Sequence, residues 1–228
     1  MSSKNHLAIL EKRKKCVEKF RNRLTRRKNV TIKKIETEKI QKMEPMQKME
    51  PQEKPYQILQ FHSKSALLKS GPLPKDALRS LSNFSEHPVE YDGHEYPSVE
   101  HAYQAQKYLC SNKPELARLF YDGSLKTPAD AKSAGGKTGM KKNGAQLDID
   151  CWNKPNHVDT IMHSLIMSKI AKNMDIRNIL DIASKNNIRF SHFSRSDMYW
   201  GAHLNDDGTI KKGENKLGKI YNKYIDSL

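Results

Sequence analysis

Two prolines six residues apart restrict where a folded domain can begin in this chain. Pro45 and Pro51 each close a copy of the pentapeptide Gln-Lys-Met-Glu-Pro. A proline inside a helix removes a hydrogen bond and clashes with the preceding turn, so this polar repeat predicts a linker. We therefore place the domain boundary near Tyr56. It separates a basic N-terminal arm and linker, residues 1–55, from a folded domain, residues 56–228.

Positive charge is concentrated in the arm. Residues 1–54 hold 17 Lys and Arg against 7 Glu, in a chain whose formal net charge is +15. Apolar residues between Leu7 and Leu24 recur close to helical spacing, so we expect the arm to be disordered or partly helical. The excess charge favours contact with a polyanion such as nucleic acid, and a soluble lysine-rich arm without a partner is the alternative.

Other global features narrow the class of protein. The chain has no run of about 18 apolar residues, so we expect no membrane span and no membrane partner. It does not begin with an apolar stretch of signal-peptide length. Cys16, Cys110 and Cys151 are odd in number and not closely paired, which argues against a disulfide framework. These features predict an intracellular, cytoplasmic protein.

The folded domain is predicted to be mainly α with a few short β-strands, an α+β fold. Residues 58–61 form a short apolar run, and Asp92-Gly93 supplies the positive φ angles of a hairpin turn. Ser98 is a favourable N-cap for a helix that runs to about Leu109. Further helices are predicted at 114–121, 128–134, 157–172 and 175–184, and from Lys216 to the end.

The helix after Ser98 carries the first candidate site. Glu100, Gln104 and Lys107 follow the spacing i, i+4, i+7, which places a carboxylate, an amide and an ammonium on one face. An exposed face supported by a Glu–Lys pair is the simpler interpretation of this segment taken alone.

A second candidate lies near the C-terminus. Asp197 precedes Trp200 by three residues, and Gly201 permits the close approach of a backbone or a ligand. An indole stacks well on a flat heterocycle, and Trp152 is the other tryptophan of the chain. Two core tryptophans are the alternative.

Other common sites find no support in the sequence. The stretch from Gly135 to Gly139 resembles a phosphate loop, but the first glycine of that motif would fall on Ala131. A flexible basic loop over a phosphate, with Lys137, Lys141 and Lys142, stays open. The histidines and cysteines show no H-E-x-x-H or C-x-x-C spacing, so we expect no metal and no cofactor.

Five segments occur in a fixed order along the chain. They are Leu81-Ser82-Asn83-Phe84, the hairpin, Tyr96-Pro97-Ser98-Val99-Glu100-His101-Ala102-Tyr103-Gln104-Ala105-Gln106-Lys107-Tyr108, Asp197-Met198-Tyr199-Trp200-Gly201 and Gly213-Glu214-Asn215-Lys216-Leu217-Gly218-Lys219. From about Ile58 to Tyr224 this series resembles the YbiA-like family, also called NADAR. The resemblance implies an N-glycosidase that acts on ribosylated heterocycles.

The resemblance implies hydrolysis of the C–N bond in phosphoribosylamino-pyrimidines, the first intermediates of riboflavin synthesis. Related members remove ADP-ribose from modified guanine in DNA, and a non-catalytic ADP-ribose-binding module is a further alternative. Glycoside cleavage builds positive charge on the sugar, so Glu100 and Asp197 are the expected catalytic pair, with their roles left open.

The expected substrate contacts follow from the same motif positions. Asn83 and Asn215 are expected to orient the ribose hydroxyls or the base, and Gln104 and Gly201 are further substrate-binding candidates. Stacking on the heterocycle is assigned to Phe84, Trp152 and Trp200, and the phosphate to Lys107 and Lys137. The chain departs from the family at His192, His203 and Gly136-Lys137, which leaves the identity of the substrate open.

Overall fold

The structure is a computed structural model that describes residues 56–228. The predicted basic helix and the proline linker lie outside the described residues, and the domain boundary stays a prediction. The strands are β1 (Gln57–Phe61), β2 (Val89–Tyr91), β3 (His94–Tyr96), β4 (Ile188–His192), β5 (Ala202–Leu204) and β6 (Ile210–Gly213). The helices are α1 (Ala77–Ser80), α2 (Val99–Leu109), α3 (Pro128–Gly135), α4 (Lys137–Lys142), α5 (Ile149–Trp152), α6 (His157–Lys172), α7 (Met174–Lys185) and α8 (Lys216–Ile225), with a 3₁₀ helix at Pro114–Phe120.

The predicted α+β fold with few short strands is confirmed. The described residues form three two-stranded sheets, and buried side chains from the helices and strands pack into one core. Helix α8 shows how the sequence pattern builds this core, because Leu217, Tyr221 and Ile225 recur at helical spacing and are all buried. The Tyr221 hydroxyl donates to the Leu81 carbonyl oxygen at 2.9 Å, which satisfies its one buried polar atom.

A parallel pair of strands positions two loops that matter for function. Strand β1 pairs with β4 in the register Gln57↔Ile188 to Phe61↔His192. The carboxyl ends of both strands therefore lie side by side, and the chain that follows each strand enters the same region. The sequence predicts β1 but not β4, because the partner strand lies some 130 residues away along the chain.

The hairpin and the cap of α2 form as the sequence predicts. Strands β2 and β3 are antiparallel, and Asp92 and Gly93 both have positive φ, 53° and 77°. The Ser98 hydroxyl accepts a hydrogen bond from the His101 backbone N–H at 3.3 Å and also lies 2.8 Å from His101 Nδ1. His101 is fully buried and its other ring nitrogen contacts the Leu125 carbonyl oxygen at 3.3 Å, so its role is structural.

The expectation that the cysteines stay unpaired is wrong for two of them. Cys110 and Cys151 form a disulfide with a Cα–Cα distance of 5.6 Å. The chain after α4 returns against the end of α2, where the Asp148 N–H donates to the Cys110 carbonyl oxygen at 2.8 Å. One turn of α5 then brings Cys151 beside Cys110. A close pair can therefore arise at a sequence separation of 41 residues.

The flexible basic loop that the sequence left open around Gly135–Gly139 is instead the junction of two helices. Helix α3 begins with a capping box between Thr127 and Asp130 and ends at Gly135, and α4 begins two residues later. Gly139 packs so closely on α3 that a Cβ there would lie 2.1 Å from the Ser133 carbonyl oxygen.

Among residues 56–228, no helix combines the length and the hydropathy of a membrane-spanning segment.

Candidate functional site

A cavity of about 610 Å³ opens between α2, the turn that follows α1 and the loop that follows β4. Residues 62–64, which follow β1, also line the cavity. The carboxyl ends of both parallel strands therefore lie at its wall. Seven of the eleven predicted site residues line this cavity. They are Asn83, Phe84, Glu100, Gln104, Lys107, Asp197 and Trp200.

Glu100 is a buried carboxyl at the start of α2, with 6% of the residue exposed. Its Oε1 accepts a hydrogen bond from Gln104 Nε2 at 2.8 Å, which confirms that the two side chains share a helix face. Burial raises the pKa of Glu100, and the nearby Asp197 carboxylate adds to this rise. The Gln104 hydrogen bond and the positive charges of Lys132 and Lys107 oppose it. The exposed-face alternative for this helix is therefore wrong.

Asp197 is exposed and differs from Glu100 in its surroundings. Its Oδ1 accepts hydrogen bonds from the backbone N–H groups of Tyr199 and Trp200, both at 3.2 Å. Its own N–H donates to the Ser194 hydroxyl at 3.0 Å. These bonds fix the turn that presents Trp200 to the cavity.

The buried side chain of Lys169 stabilises the turn that carries Asn83 and Phe84 through hydrogen bonds to the residues on either side of them. Lys169 of α6 is fully buried, and its Nζ donates to the Ser80 and Ser82 carbonyl oxygens, at 2.5 and 2.8 Å, and to the Ser85 hydroxyl at 2.7 Å. Burial lowers the pKa of Lys169 to about 7, whereas its three acceptors favour the charged form.

Asn83 links this turn to helix α2. Its carbonyl oxygen accepts a hydrogen bond from the Glu100 N–H at 3.0 Å. Its side-chain Oδ1 is buried without a hydrogen-bond partner among the described residues, and its Nδ2 contacts only the sulfur of Met162, at 3.6 Å. A buried oxygen without a donor is uncommon in proteins, and this one belongs to a residue that lines the cavity.

Two lysines bring positive charge to the cavity. Lys107 Nζ lies 5.5 Å from the centre of the Tyr103 ring and 5.9 Å from that of Trp152, and burial lowers the pKa of Lys107. Lys132 Nζ lies 5.2 Å from the centre of the Phe84 ring. Both lysines are therefore oriented by aromatic rings at the wall of the cavity.

Sequence reasoning missed several residues that line the cavity. Lys132 lies on α3 without any pattern that marks it, and Arg195 lies in the loop after β4. His192 was noted only as a departure from the family; it lines the cavity, and burial lowers its pKa. The motifs that contain Asn83, Glu100 and Asp197 predicted the site. The positions of the three missed residues depend instead on how distant segments of the chain pack together.

The substrate contact expected of Asn215 is corrected, because its side chain is used inside the fold. Asn215 is buried at the N-cap of α8, and its Oδ1 accepts from the His192 N–H at 2.8 Å. Gly201 also lies behind the cavity, where a Cβ would come within 2.7 Å of the Ser194 Cβ. Both residues support the cavity wall without lining the cavity.

Lys137 and Trp152 lie in neighbouring cavities. Lys137 lines a groove of about 870 Å³ on the other side of Lys107. Trp152 lines that groove and a smaller cavity of about 500 Å³, which shares Tyr103 and Trp200 with the main cavity. Among residues 56–228, no group of three or more His, Cys, Asp or Glu is placed to hold a metal ion.

Comparison with known proteins identifies the fold and the family. The chain is 28% identical over 147 residues to the N-glycosidase YbiA of Escherichia coli K12, which covers 64% of this chain and 78% of that protein. It is 30% identical over 139 residues to an N-glycosidase of Nostoc punctiforme, with 61% and 78% covered.

A solved structure and a family model agree with these relatives. The NMR structure of E. coli YbiA superposes with a TM-score of 0.51 at 20% identity, over 76% of this chain and 86% of that one. The family model of the NADAR domain matches residues 73–228, which include both carboxyl groups of the cavity. The chain therefore belongs to the NADAR family.

Proposed function

We propose that this protein is an N-glycosidase that hydrolyses phosphoribosylamino-pyrimidines, the first intermediates of riboflavin synthesis. The products are ribose 5-phosphate and the free pyrimidine. The relatives that bear the name N-glycosidase support the class of reaction. The observation that carries the proposal is one cavity that holds a buried carboxyl with a raised pKa, Glu100, and an exposed carboxylate, Asp197.

Glu100 is the proton donor in this proposal. Cleavage of the ribose–nitrogen bond leaves an electron pair on the nitrogen, and a proton on that nitrogen makes it a better leaving group. A carboxyl whose pKa is raised by burial keeps its proton nearer to neutral pH than an exposed one does. The amide of Gln104 holds Oε1 of Glu100 and so orients the group in the cavity.

Asp197 supplies the negative charge. The ribose develops an oxocarbenium character as the bond breaks, and a carboxylate nearby stabilises that cation or takes a proton from the attacking water. The two backbone N–H groups that bind Oδ1 fix the direction of the carboxylate. One water is consumed: its oxygen and one of its protons become the new hydroxyl group on the ribose carbon, and its other proton passes to Asp197. Transfer of that proton back to Glu100, which gave its own to the leaving nitrogen, restores both groups.

Three groups of side chains bind the rest of the substrate in this scheme. The unpaired Oδ1 of Asn83 accepts a hydrogen bond from a ribose hydroxyl or an amino group of the base. Phe84 and Trp200 provide the aromatic surface for the pyrimidine. Lys132 and Lys107 provide the positive charge for the phosphate.

The test is the release of ribose 5-phosphate from 5-amino-6-(5-phosphoribosylamino)uracil by the purified protein. We expect turnover by the wild type and its loss in Glu100→Gln and in Asp197→Asn. Glu115→Gln, which changes an exposed carboxylate outside the cavity, is the matched control and keeps full activity. Absence of turnover by the wild type would contradict the proposal.

A second substrate is measured beside the first. ADP-ribose attached to guanine in DNA contains the same ribose–nitrogen linkage and a larger anionic part. Release of ADP-ribose without release of ribose 5-phosphate would replace the proposed substrate with the nucleic-acid one. Binding of ADP-ribose without turnover of either compound would identify a binding module. Repeating the DNA assay without residues 1–55 tests the contact proposed for the basic arm.

A further inference from the structure

A groove beside the candidate site has features that the proposed reaction does not use. It has a volume of about 870 Å³ and lies between α3, α4 and the turn that leads into α5. We call it the lysine groove, after Lys107, Lys137 and Lys141, which line it. Lys107 also lines the main cavity, so the two spaces are neighbours across one side chain.

The charge of the lysine groove has one sign. None of the residues that line it is acidic. Lys137 and Lys141 are one helical turn apart on α4 and exposed, and neither forms an ion pair with a carboxylate in residues 56–228. Two ammonium groups without an ion pair, next to that of Lys107, attract an anion, and an ammonium is a common phosphate ligand.

The lysine groove also has apolar lining residues, and one of them carries an aromatic ring. Trp152, Leu147 and Met140 line the groove, together with Ile149, which is 57% exposed. An isoleucine that remains so exposed beside a tryptophan forms an apolar surface without a partner in the described residues. A flat ring gains contact area on such a surface, and a tryptophan adds stacking.

The position of Trp152 is fixed before any ligand binds. Its ring meets that of Tyr103 edge to face, with centroids 5.6 Å apart, and Lys107 Nζ lies 5.9 Å from its centre. Cys151, the preceding residue, is bonded to Cys110 at the end of α2. A ring held from three sides loses little freedom when a ligand stacks on it, so more of the contact energy appears as affinity.

We propose that the lysine groove is a binding site for a phosphorylated heterocycle of the mononucleotide type. Its phosphate lies on Lys137 and Lys141, and its ring lies against Trp152 and Ile149. The site is separate from Glu100 and Asp197 and does not depend on the proposed glycosidase reaction. Such a ligand is either a free nucleotide or the distal part of a substrate whose ribose lies in the main cavity.

The experiment measures binding of adenosine 5′-monophosphate and uridine 5′-monophosphate by calorimetry, with the full chain carrying Glu100→Gln so that neither ligand is consumed. We expect saturable binding that weakens about tenfold in Lys137→Gln/Lys141→Gln, the loss of about 1.4 kcal/mol of phosphate contacts. The matched control Lys211→Gln/Lys212→Gln removes two exposed lysines of β6 and leaves the affinity unchanged. Adenosine and inorganic phosphate, each with half of the recognised groups, bind at least tenfold more weakly than the nucleotide.

Three results would overturn the proposal. These are no saturable binding of either nucleotide, equal loss of affinity in the two double variants, and inorganic phosphate binding as tightly as the nucleotide. The source of the ligand is decided by turnover of the ADP-ribosyl compound with Glu100 restored, because that substrate carries a nucleotide beyond its reacting ribose; no turnover of it identifies a free nucleotide. Unchanged kcat/KM in Lys137→Gln/Lys141→Gln identifies a free nucleotide, and a raised KM identifies the distal part of the substrate. If the protein hydrolyses neither substrate, the binding result still stands by itself.

Discussion

Replacing Glu100 by glutamine should abolish activity while making the protein more stable. The buried carboxyl has a raised pKa, so its ionised form is unfavourable in the folded state. Glutamine has nearly the same shape, and its oxygen still accepts the hydrogen bond from Gln104 Nε2. The substitution therefore removes the proton donor and the cost of a buried charge, and it leaves the packing in place.

The two effects have different sizes and different pH dependence. Loss of a general acid lowers kcat by about 10²- to 10⁴-fold, or about 2.7 to 5.4 kcal/mol of barrier. The stability effect appears above pH 4.5, the ordinary pKa of a glutamic acid. The unfolded chain ionises there while the folded chain keeps its proton, so the free energy of unfolding of the wild type falls as pH rises towards the folded pKa. Glu100→Gln does not show this fall.

The assay combines turnover at neutral pH with urea unfolding between pH 4 and 8. We expect Glu100→Gln to match the wild type in stability at pH 4 and to exceed it at pH 8, with Glu115→Gln unchanged in both measurements. Activity of Glu100→Gln within threefold of the wild type would refute the proton-donor role. Equal stability of the variant and the wild type at pH 8 would refute the buried, high-pKa environment of Glu100.

Three further changes test other parts of the structure. Lys169→Met leaves three buried oxygens without the ammonium, so urea unfolding should show a loss of about 3 kcal/mol, and an unchanged midpoint would contradict the buried contacts. Cys151→Ser removes the disulfide to Cys110 and opens the 41-residue loop that it closes, so the free energy of unfolding should fall by about 4 kcal/mol under oxidising conditions. Three free thiols in the native wild type would contradict the disulfide. Gly135→Ala places a Cβ 2.2 Å from Gln104 Oε1 and 2.6 Å from Gln104 Cβ, which displaces the amide from Glu100 and strains the packing of α3 on α2. Both kcat, by about tenfold, and the melting temperature should fall, and full activity would show that the amide does not orient the carboxyl.

The sequence predicts the elements whose signals are local. The apolar stripe of α8, the Ser98 cap and the Asp92-Gly93 turn each lie within one element, and all three form. Strand β4 escapes prediction because its five residues become a strand only by pairing with β1. The disulfide escapes for a similar reason, since Cys151 reaches Cys110 only after the chain returns to the end of α2.

The candidate site was predicted in outline but not in its electrostatics. The motif order brought Asn83, Glu100 and Asp197 together, and the structure places all three on one cavity. The difference between a buried Glu100 and an exposed Asp197 depends on packing, which no spacing in the sequence reports. Lys132 lines the cavity because α3 packs beside it, and the residues around Lys132 in the sequence do not indicate this position.

Asn83 contributes to the cavity through two separate groups. Its backbone carbonyl oxygen accepts a hydrogen bond from the Glu100 N–H, and its side-chain Oδ1 is buried without a partner among the described residues. Any amino acid at position 83 keeps the backbone carbonyl, whereas the side chain at the cavity wall changes with each substitution. Natural variation at this position can therefore alter the surface that a ligand meets while the start of α2, with Glu100, stays in place.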